Sequence, residues 1–414
     1  MSEPKIILPK RIFILKSRKG QVVTYDREEY SIYYKNIIHP YSEDYDIQID
    51  CSYGKNLDNC WRLDSSDTDT DVFDLTVMVY NEYGELLAEK GCEVELLDKK
   101  KHKEINLLCI GDSMTRSAKY IAQAAEKAQY INTIGLRNTE YNVFHEGRGG
   151  WSSYSYFSKT DDSGSGVSPF LFPKGYEGKE YFGNRKFWER VSDPEFCNNY
   201  QYAGFEPQRI EEGMVTYSDG ALYRYSNGEY KQIDAEPVFE FNFKKYIERY
   251  NIKKPDIVSV LFGANEFQIC KYSETDEEIK RYITALKNMV DSIKSYDSNI
   301  KIIINLPICG GSQYAWGMTM GCVGTSKQYS FNIKKACEAL LDEFDGRTDE
   351  NIFVCPMLAV CDTESGFPWD VKKANIYSEM RKNQCTNWVH PSEVGYRQMG
   401  DALAAVITAV RDRT

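Results

Sequence analysis

The sequence predicts a doubly wound α/β fold preceded by a small all-β sandwich of immunoglobulin-like type. Two observations carry this. From about residue 105, apolar runs alternate with helical segments: "INLLCI" (105–110), "YNVFHE" (141–146), "DIVSVLF" (256–262), "IKIIIN" (300–305) and "NIFVCP" (351–356). Most are continuous rather than alternating, as strands buried on both faces of a parallel sheet are. Before residue 100 the period is two instead, with Phe73, Leu75, Val77 and Val79 set against Asp74, Thr76, Met78 and Tyr80.

Taken in order, the first hundred residues offer "RIFILK", "QVVTYD", "YSIYYKNII" and "YDIQID", short β-branched or aromatic runs separated by turn residues. "FDLTVMVYNEYGELL" then reads as a strand and a turn, and Cys92, Val94 and Leu96 alternate with Glu93 and Glu95. The charged "DKKKHKE" near 98–104 reads as a linker, which divides the chain into a β-sandwich domain (1–100) and an α/β domain (101–414). In the second domain, "SETDEEIKRYITALKNMVDSIKSY" has a Ser or Thr cap, early acids and a 3.6-residue apolar period. "FNIKKACEALLDEF" is similar, and "SEVGYRQMGDALAAVITAVRD" is a further amphipathic helix. Between the second and third runs lies an insertion at about 151–250, rich in Tyr, Phe, Trp and Gly, with hairpin-like text at "DGALYRYSNGEYKQID". Insertions of this length are usually functional.

Composition narrows the partners. The 414 residues are 42% hydrophobic and 27% charged, with a formal net charge of −11. Without a long basic run, nucleic acid and anionic membrane surfaces are poor partners. No stretch approaches the roughly 18 apolar residues of a spanning helix. The N-terminus "MSEPKIILPKRIFILKSRKG" has no signal-like apolar core, so the expected location is cytoplasmic, with export after signal removal as the alternative. The twelve cysteines follow no metal-like spacing, and Cys109 and Cys355 fall inside apolar strand runs. "LDSSDTDTDVFD" spaces Asp67, Asp69 and Asp71 like a calcium loop. It lacks the sixth-position glycine, and Met78 stands where the twelfth-position glutamate belongs. A solvated acidic turn is the reading adopted; neither metal nor organic cofactor is expected.

Four stretches place chemistry at the ends of elements. The first run leads into Gly111-Asp112-Ser113, putting a hydroxyl where a doubly wound sheet binds ligands. There Ser113 can be a nucleophile whose own amide also stabilises an oxyanion. "HEGRGGWSS" ends the second run in glycines that let a backbone N–H face a bound group. "LFGANEF" ends the third, so the Asn265 amide can point into the same cleft. His390, one of only four histidines, stands in "NWVHPS" just before the last helix. Singly, each reads as a turn, cap or structural residue.

In this order "GDSMT", "GRGGWSS", "GANE" and "NWVHPS" resemble the SGNH (GDSL-type) hydrolase family of esterases and lipases over about 105–410, the insertion excepted. The resemblance implies a flavodoxin-like three-layer α/β/α sandwich with a five-stranded parallel sheet, and ester hydrolysis through an acyl-enzyme. It implies Ser113 as nucleophile, His390 as general base and then acid, and an oxyanion hole of the Ser113 and Gly150 amides with the Asn265 side chain. Two departures stand out. Glu266 replaces a common Asp after the family's Asn, and Asn387 stands where the triad carboxylate usually lies, three residues before the histidine. An amide oxygen can accept the imidazole N–H but offers no charge to the imidazolium. In a serine protease the corresponding Asp-to-Asn change costs about 10⁴ in kcat. Asn387 is the expected orienting group; a main-chain carbonyl, giving a Ser-His dyad, or Asp362, Asp370 or Glu393 are the alternatives.

Trp151 and Tyr154 follow the glycine loop, and Tyr156, Phe157, Tyr181, Phe182 and Trp188 lie further on. They either stack on sugar faces or form the insertion's own core. Some SGNH carbohydrate esterases also follow a β-sandwich domain, so the expected substrate is an acylated carbohydrate, acetyl foremost, with Trp151 and Tyr154 against it. A retired SGNH fold that binds glycans or acts as a scaffold is the rival reading, and a short-chain lipase or thioesterase the third.

Overall fold

The computed structural model describes residues 3–16, 29–98, 103–139, 141–160, 166–191, 193, 195, 197 and 209–411. The expected strand "QVVTYD" and most of the expected linker lie outside them. At the centre is a sheet built on β1 (Ile105–Gly111), β2 (Ile131–Ile134), β3 (Phe144–Gly147), β4 (Ile257–Leu261), β5 (Lys301–Asn305) and β6 (Ile352–Cys355). β1 pairs in parallel with β2 along Ile105–Leu108 and with β3 at Ile110–Gly111, and with β4 on its other side. β5 and β6 follow outward, also parallel. Arg137–Asn138 adds a short antiparallel strand beside β3. The sheet therefore has seven strands where five were expected. One position is shared end to end by β2, a polar run that gave no apolar signal, and β3, which begins three residues later than the expected 141.

Alternate residues of each strand enter different cores, which is the pleat of a sheet covered on both faces. Leu107, Cys109, Ile303 and Cys355 join one buried cluster, with Tyr120 and Ile121 of α2 (Lys119–Ala128) and Leu403 and Val406 of α6 (Glu393–Arg411). Leu108, Ile110, Val258, Ile302 and Val354 join the other, with Leu286 of α4 (Thr275–Tyr296) and Leu340 of α5 (Ser326–Phe344). The short helices α1 (Ser113–Arg116) and α3 (Ala264–Phe267) start directly after β1 and β4. These two strands are adjacent but connect to opposite sides, so their carboxyl ends open the crevice where doubly wound sheets bind ligands.

The N-terminal region forms a four-stranded sheet, in the order Arg11–Leu15, Leu86–Leu97, Val72–Tyr80 and Asp46–Asp50, beside a three-stranded one of Glu29–Tyr33, Cys60–Asp64 and Lys55–Asn56. Its first pair is parallel and the others in that sheet are antiparallel. Ile12, Trp61, Val77 and Val94 share the buried cluster of α6, so this β layer packs on the helical face of the central sheet. In the acidic stretch, Asp64 caps the turn Ser65–Asp67 and Asp69 accepts the Tyr53 hydroxyl. Among the described residues no group of three His, Cys, Asp or Glu could hold a metal ion. No helix among them is long and apolar enough to cross a membrane.

The insertion builds a four-stranded sheet from Tyr181–Asn184, Val215–Ser218, Ala221–Ser226 and Glu229–Asp234. Asn227 and Gly228, both at positive φ (54° and 82°), make the last hairpin turn. Phe182, Trp188, Tyr217 and Tyr246 are buried in the second core cluster, so these insertion aromatics fill an interior.

Candidate active site

β1 delivers Ser113 to the crevice through a crowded corner. A Cβ at Gly111 would lie 2.4 Å from the Leu261 carbonyl oxygen of β4, so only glycine lets the two strand ends approach. The Asp112 carboxylate accepts the Met114 N–H at 2.9 Å and caps α1. The Ser113 hydroxyl then stands 2.8 Å from His390 Nε2, although 277 residues separate them.

His390 sits on the loop before α6. The Asn387 amide oxygen accepts the main-chain N–H of Val389 at 3.0 Å and of His390 at 2.9 Å, an Asx turn that shapes this loop. That oxygen is therefore committed to main chain and does not meet the ring, which departs from the orienting role expected of Asn387. Among the described residues His390 Nδ1 makes no hydrogen bond. The alternative acids are engaged elsewhere: Asp362 accepts the Glu364 and Ser365 amides, Asp370 the Val371 amide, and Glu393 faces Lys119 and Arg397. Burial, then the nearby Arg116 guanidinium, holds the imidazole below its usual pKa. The ring is thus neutral near pH 7, the form in which Nε2 can accept a proton from Ser113.

The glycine loop follows β3. The Arg148 N–H donates to the Gly111 carbonyl at 2.9 Å, and the Trp151 N–H closes a turn onto the Arg148 carbonyl at 3.3 Å. Gly150 occupies that turn at φ +76° and is exposed. The main-chain N–H groups of Ser113 and Gly150 have no hydrogen-bond partner among the described residues. Beneath the turn lies a buried ion pair, Arg148 Nη1 to Glu146 Oε2 at 2.9 Å, with the two side chains 1% and 0% exposed. The other Glu146 oxygen accepts the Leu136 N–H and the Tyr246 hydroxyl, both at 2.7 Å. The Tyr156 hydroxyl bonds the Gly111 and Glu146 carbonyls, and Arg137 donates to the Gly147 carbonyl at 3.0 Å. His145 Nδ1 accepts the Gly147 N–H at 2.9 Å, while burial and the arginines keep this imidazole neutral. Sequence reasoning passed over this support; the signal was the charge pair in "HEGR" at the end of an apolar run.

α3 brings Asn265 to the same place. Its Nδ2 donates to the Trp151 carbonyl at 2.8 Å, next to Gly150. An amide nitrogen carries two hydrogens, so one N–H is left for a ligand. Glu266, the departure noted in "GANE", binds the Ser153 N–H at 2.6 Å and the Gly263 N–H at 3.1 Å, fastening loop to helix. Burial pushes both Asp112 and Glu266 up to about 7. Trp151 is 3% exposed, its ring edge-on to Tyr156 at 5.0 Å; it is a core side chain and offers no stacking face, which corrects the expectation for it. Tyr154 is half-buried with the Arg281 guanidinium 3.4 Å over its ring. The arrangement offers a hydroxyl beside a neutral base, with three N–H donors on neighbouring elements.

The family model described as GDSL-like lipase/acylhydrolase matches residues 107–403. Among curated proteins no sequence matches. Solved structures similar to this chain include a possible lipase from Chitinophaga pinensis, at 12% identity and TM-score 0.36, over 73% of this chain and 98% of that one. A carbohydrate esterase family 3 protein from Talaromyces cellulolyticus is similar at 11% identity and TM-score 0.36, over 75% of this chain and 100% of its own. An acetyl esterase mutant with acetate ion gives the same four values.

Proposed function

The chain belongs to the GDSL-like lipase/acylhydrolase family and is a carboxylic-ester hydrolase; from that premise we propose a serine esterase that removes short acyl groups, acetyl foremost, from a carbohydrate. Ser113 Oγ attacks the ester carbonyl as His390 Nε2 takes its proton. The tetrahedral oxyanion rests on the Ser113 and Gly150 amides and the free N–H of Asn265 Nδ2. His390 returns the proton to the leaving alcohol, and the acyl group stays on Ser113. Water, deprotonated by the same imidazole, then releases the carboxylate. The dyad works without a carboxylate against Nδ1, and neutral imidazole at rest suits a base with no partner anion.

The observation that carries this reading is the 2.8 Å contact between Ser113 and His390. It is tested by p-nitrophenyl acetate hydrolysis with wild type and Ser113→Ala: wild type turns over and the variant falls to background. Equal rates would favour the retired, glycan-binding reading, which draws on the absence of a hydrogen bond at His390 Nδ1 among the described residues. A rate rising steeply with acyl length would favour a lipase or thioesterase instead.

A further inference from the structure

We infer that the cleft between the N-terminal β layer and the hydrolase domain is a second binding site, for a neutral oligosaccharide. It encloses about 1170 Å³, ample for several sugar rings, and neither Ser113, Gly150, Asn265 nor His390 lines it. Most of its wall comes from three places: the 35–44 segment of the β layer, the 309–314 stretch with the start and middle of α5, and the hairpin of Trp369–Lys373 and Arg381–Cys385; Tyr272 and Thr363–Ser365 complete it.

Two buried polar atoms in this lining have no hydrogen-bond partner, His39 Nε2 and Gln384 Oε1, on side chains 7% and 8% exposed. The His39 ring is not loose, because its Nδ1 is 2.6 Å from Glu338 Oε1. Orphaned groups of this kind are costly unless something bonds them. Alongside them stand exposed rings, Trp369 at 57% and Tyr314 at 39%. Flat apolar faces beside the exposed polar side chains of Ser312, Lys382 and Asn383 in the same lining suit a polyhydroxylated ring, which shows C–H on one face and hydroxyls at its edge. The lining carries lysines and carboxylates in near balance and no arginine, which argues against a phosphorylated or polyanionic ligand.

The cleft adjoins the candidate active site through the chain. Gly311, in its lining, donates its N–H to the Trp388 carbonyl at 2.8 Å, and Cys385 Sγ contacts the Asn387 carbonyl at 3.0 Å. A glycan held here would press on the loop that carries His390. The inference thus rests on the carbohydrate reading of the substrate, and it gives that substrate's unreacting part a place to bind.

The test is isothermal titration of the full chain carrying Ser113→Ala with xylohexaose, mannohexaose and cellohexaose, which measures binding without turnover. At least one should bind, and Trp369→Ala or Gln384→Leu, each added to that background, should weaken it at least tenfold. Thermal melts confirm that both variants fold; Trp369 is mostly exposed, so its removal leaves the interior intact. Binding of none of the three sugars, or binding undiminished in both folded variants, overturns the inference. If sugar binds as expected while wild type hydrolyses no ester, the cleft stands and the esterase reading falls.

Discussion

In the proposed mechanism His390 works with a base strength set by its surroundings rather than by a carboxylate. Burial and Arg116 both disfavour the imidazolium, so the neutral base persists below the ordinary histidine range. The acidic limb of kcat/KM against pH should therefore lie below 6.5, and Arg116→Gln should move it upward. A limb unmoved by that change would remove Arg116 from the account. Asn387→Ala takes the acceptor from two main-chain N–H groups, each worth about 0.5–1.5 kcal/mol. Urea unfolding should show a loss of about 1–3 kcal/mol, with the limb itself in place, because the amide oxygen does not touch the ring. Asn265→Ala should lower kcat for p-nitrophenyl acetate by about 10²–10³, as removal of an oxyanion donor does. Ser113 and Asn265 were legible in sequence because each follows a strand end that a doubly wound sheet turns to its crevice, and His390 because it stands in the loop just before the last helix. The duty of Asn387 was not: "NWVH" allows its oxygen to reach either the ring or the main chain, and only the loop's curvature decides.

At the scale of the element, the glycine loop is held from below. Glu146 and Arg148 are both fully buried, and removing one partner leaves the other charge without compensation. Arg148→Met should cost about 3–5 kcal/mol in chemical unfolding, and the surviving folded fraction should hydrolyse ester more slowly as the Gly150 turn loosens. An unchanged unfolding midpoint would mean that Glu146 is satisfied by Tyr246 and Leu136 alone. The long continuous runs of β1, β4, β5 and β6 announced themselves because both faces are covered. β2 did not, since "INTI" is half polar and only partly buried. The aromatics of the insertion were ambiguous for a physical reason: rings that stack on a sugar and rings that fill a core have the same composition. The fold resolves Trp151, Phe182 and Trp188 to the interior.

Across the whole molecule, the β layer and α6 share one buried cluster, so the two halves read from the sequence are not packed as separate bodies. The shift in hydrophobic period near residue 100 marks a change of architecture, and period alone cannot show whether two architectures share an interior. The buried carboxyls add a pH signature to the stability of the whole. Asp112 and Glu266 keep their protons in the folded state up to about pH 7, whereas unfolded carboxyls release theirs near pH 4. Between those values the unfolded state binds fewer protons, so this contribution to stability declines as pH rises and levels off above about 7. Asp112→Asn keeps the helix cap and should flatten that decline in unfolding measured from pH 4 to 8. A slope identical to wild type would show that Asp112 is ionised throughout.

Activation of Ser113 by His390 alone is put to the test by labelling with a p-nitrophenyl phosphonate ester followed by peptide mass spectrometry. One label per chain is expected, on Ser113, with a labelling rate that collapses in His390→Ala while Asn387→Ala, once shown to be folded, still reacts. A label on another residue, or equal labelling with and without His390, would contradict it.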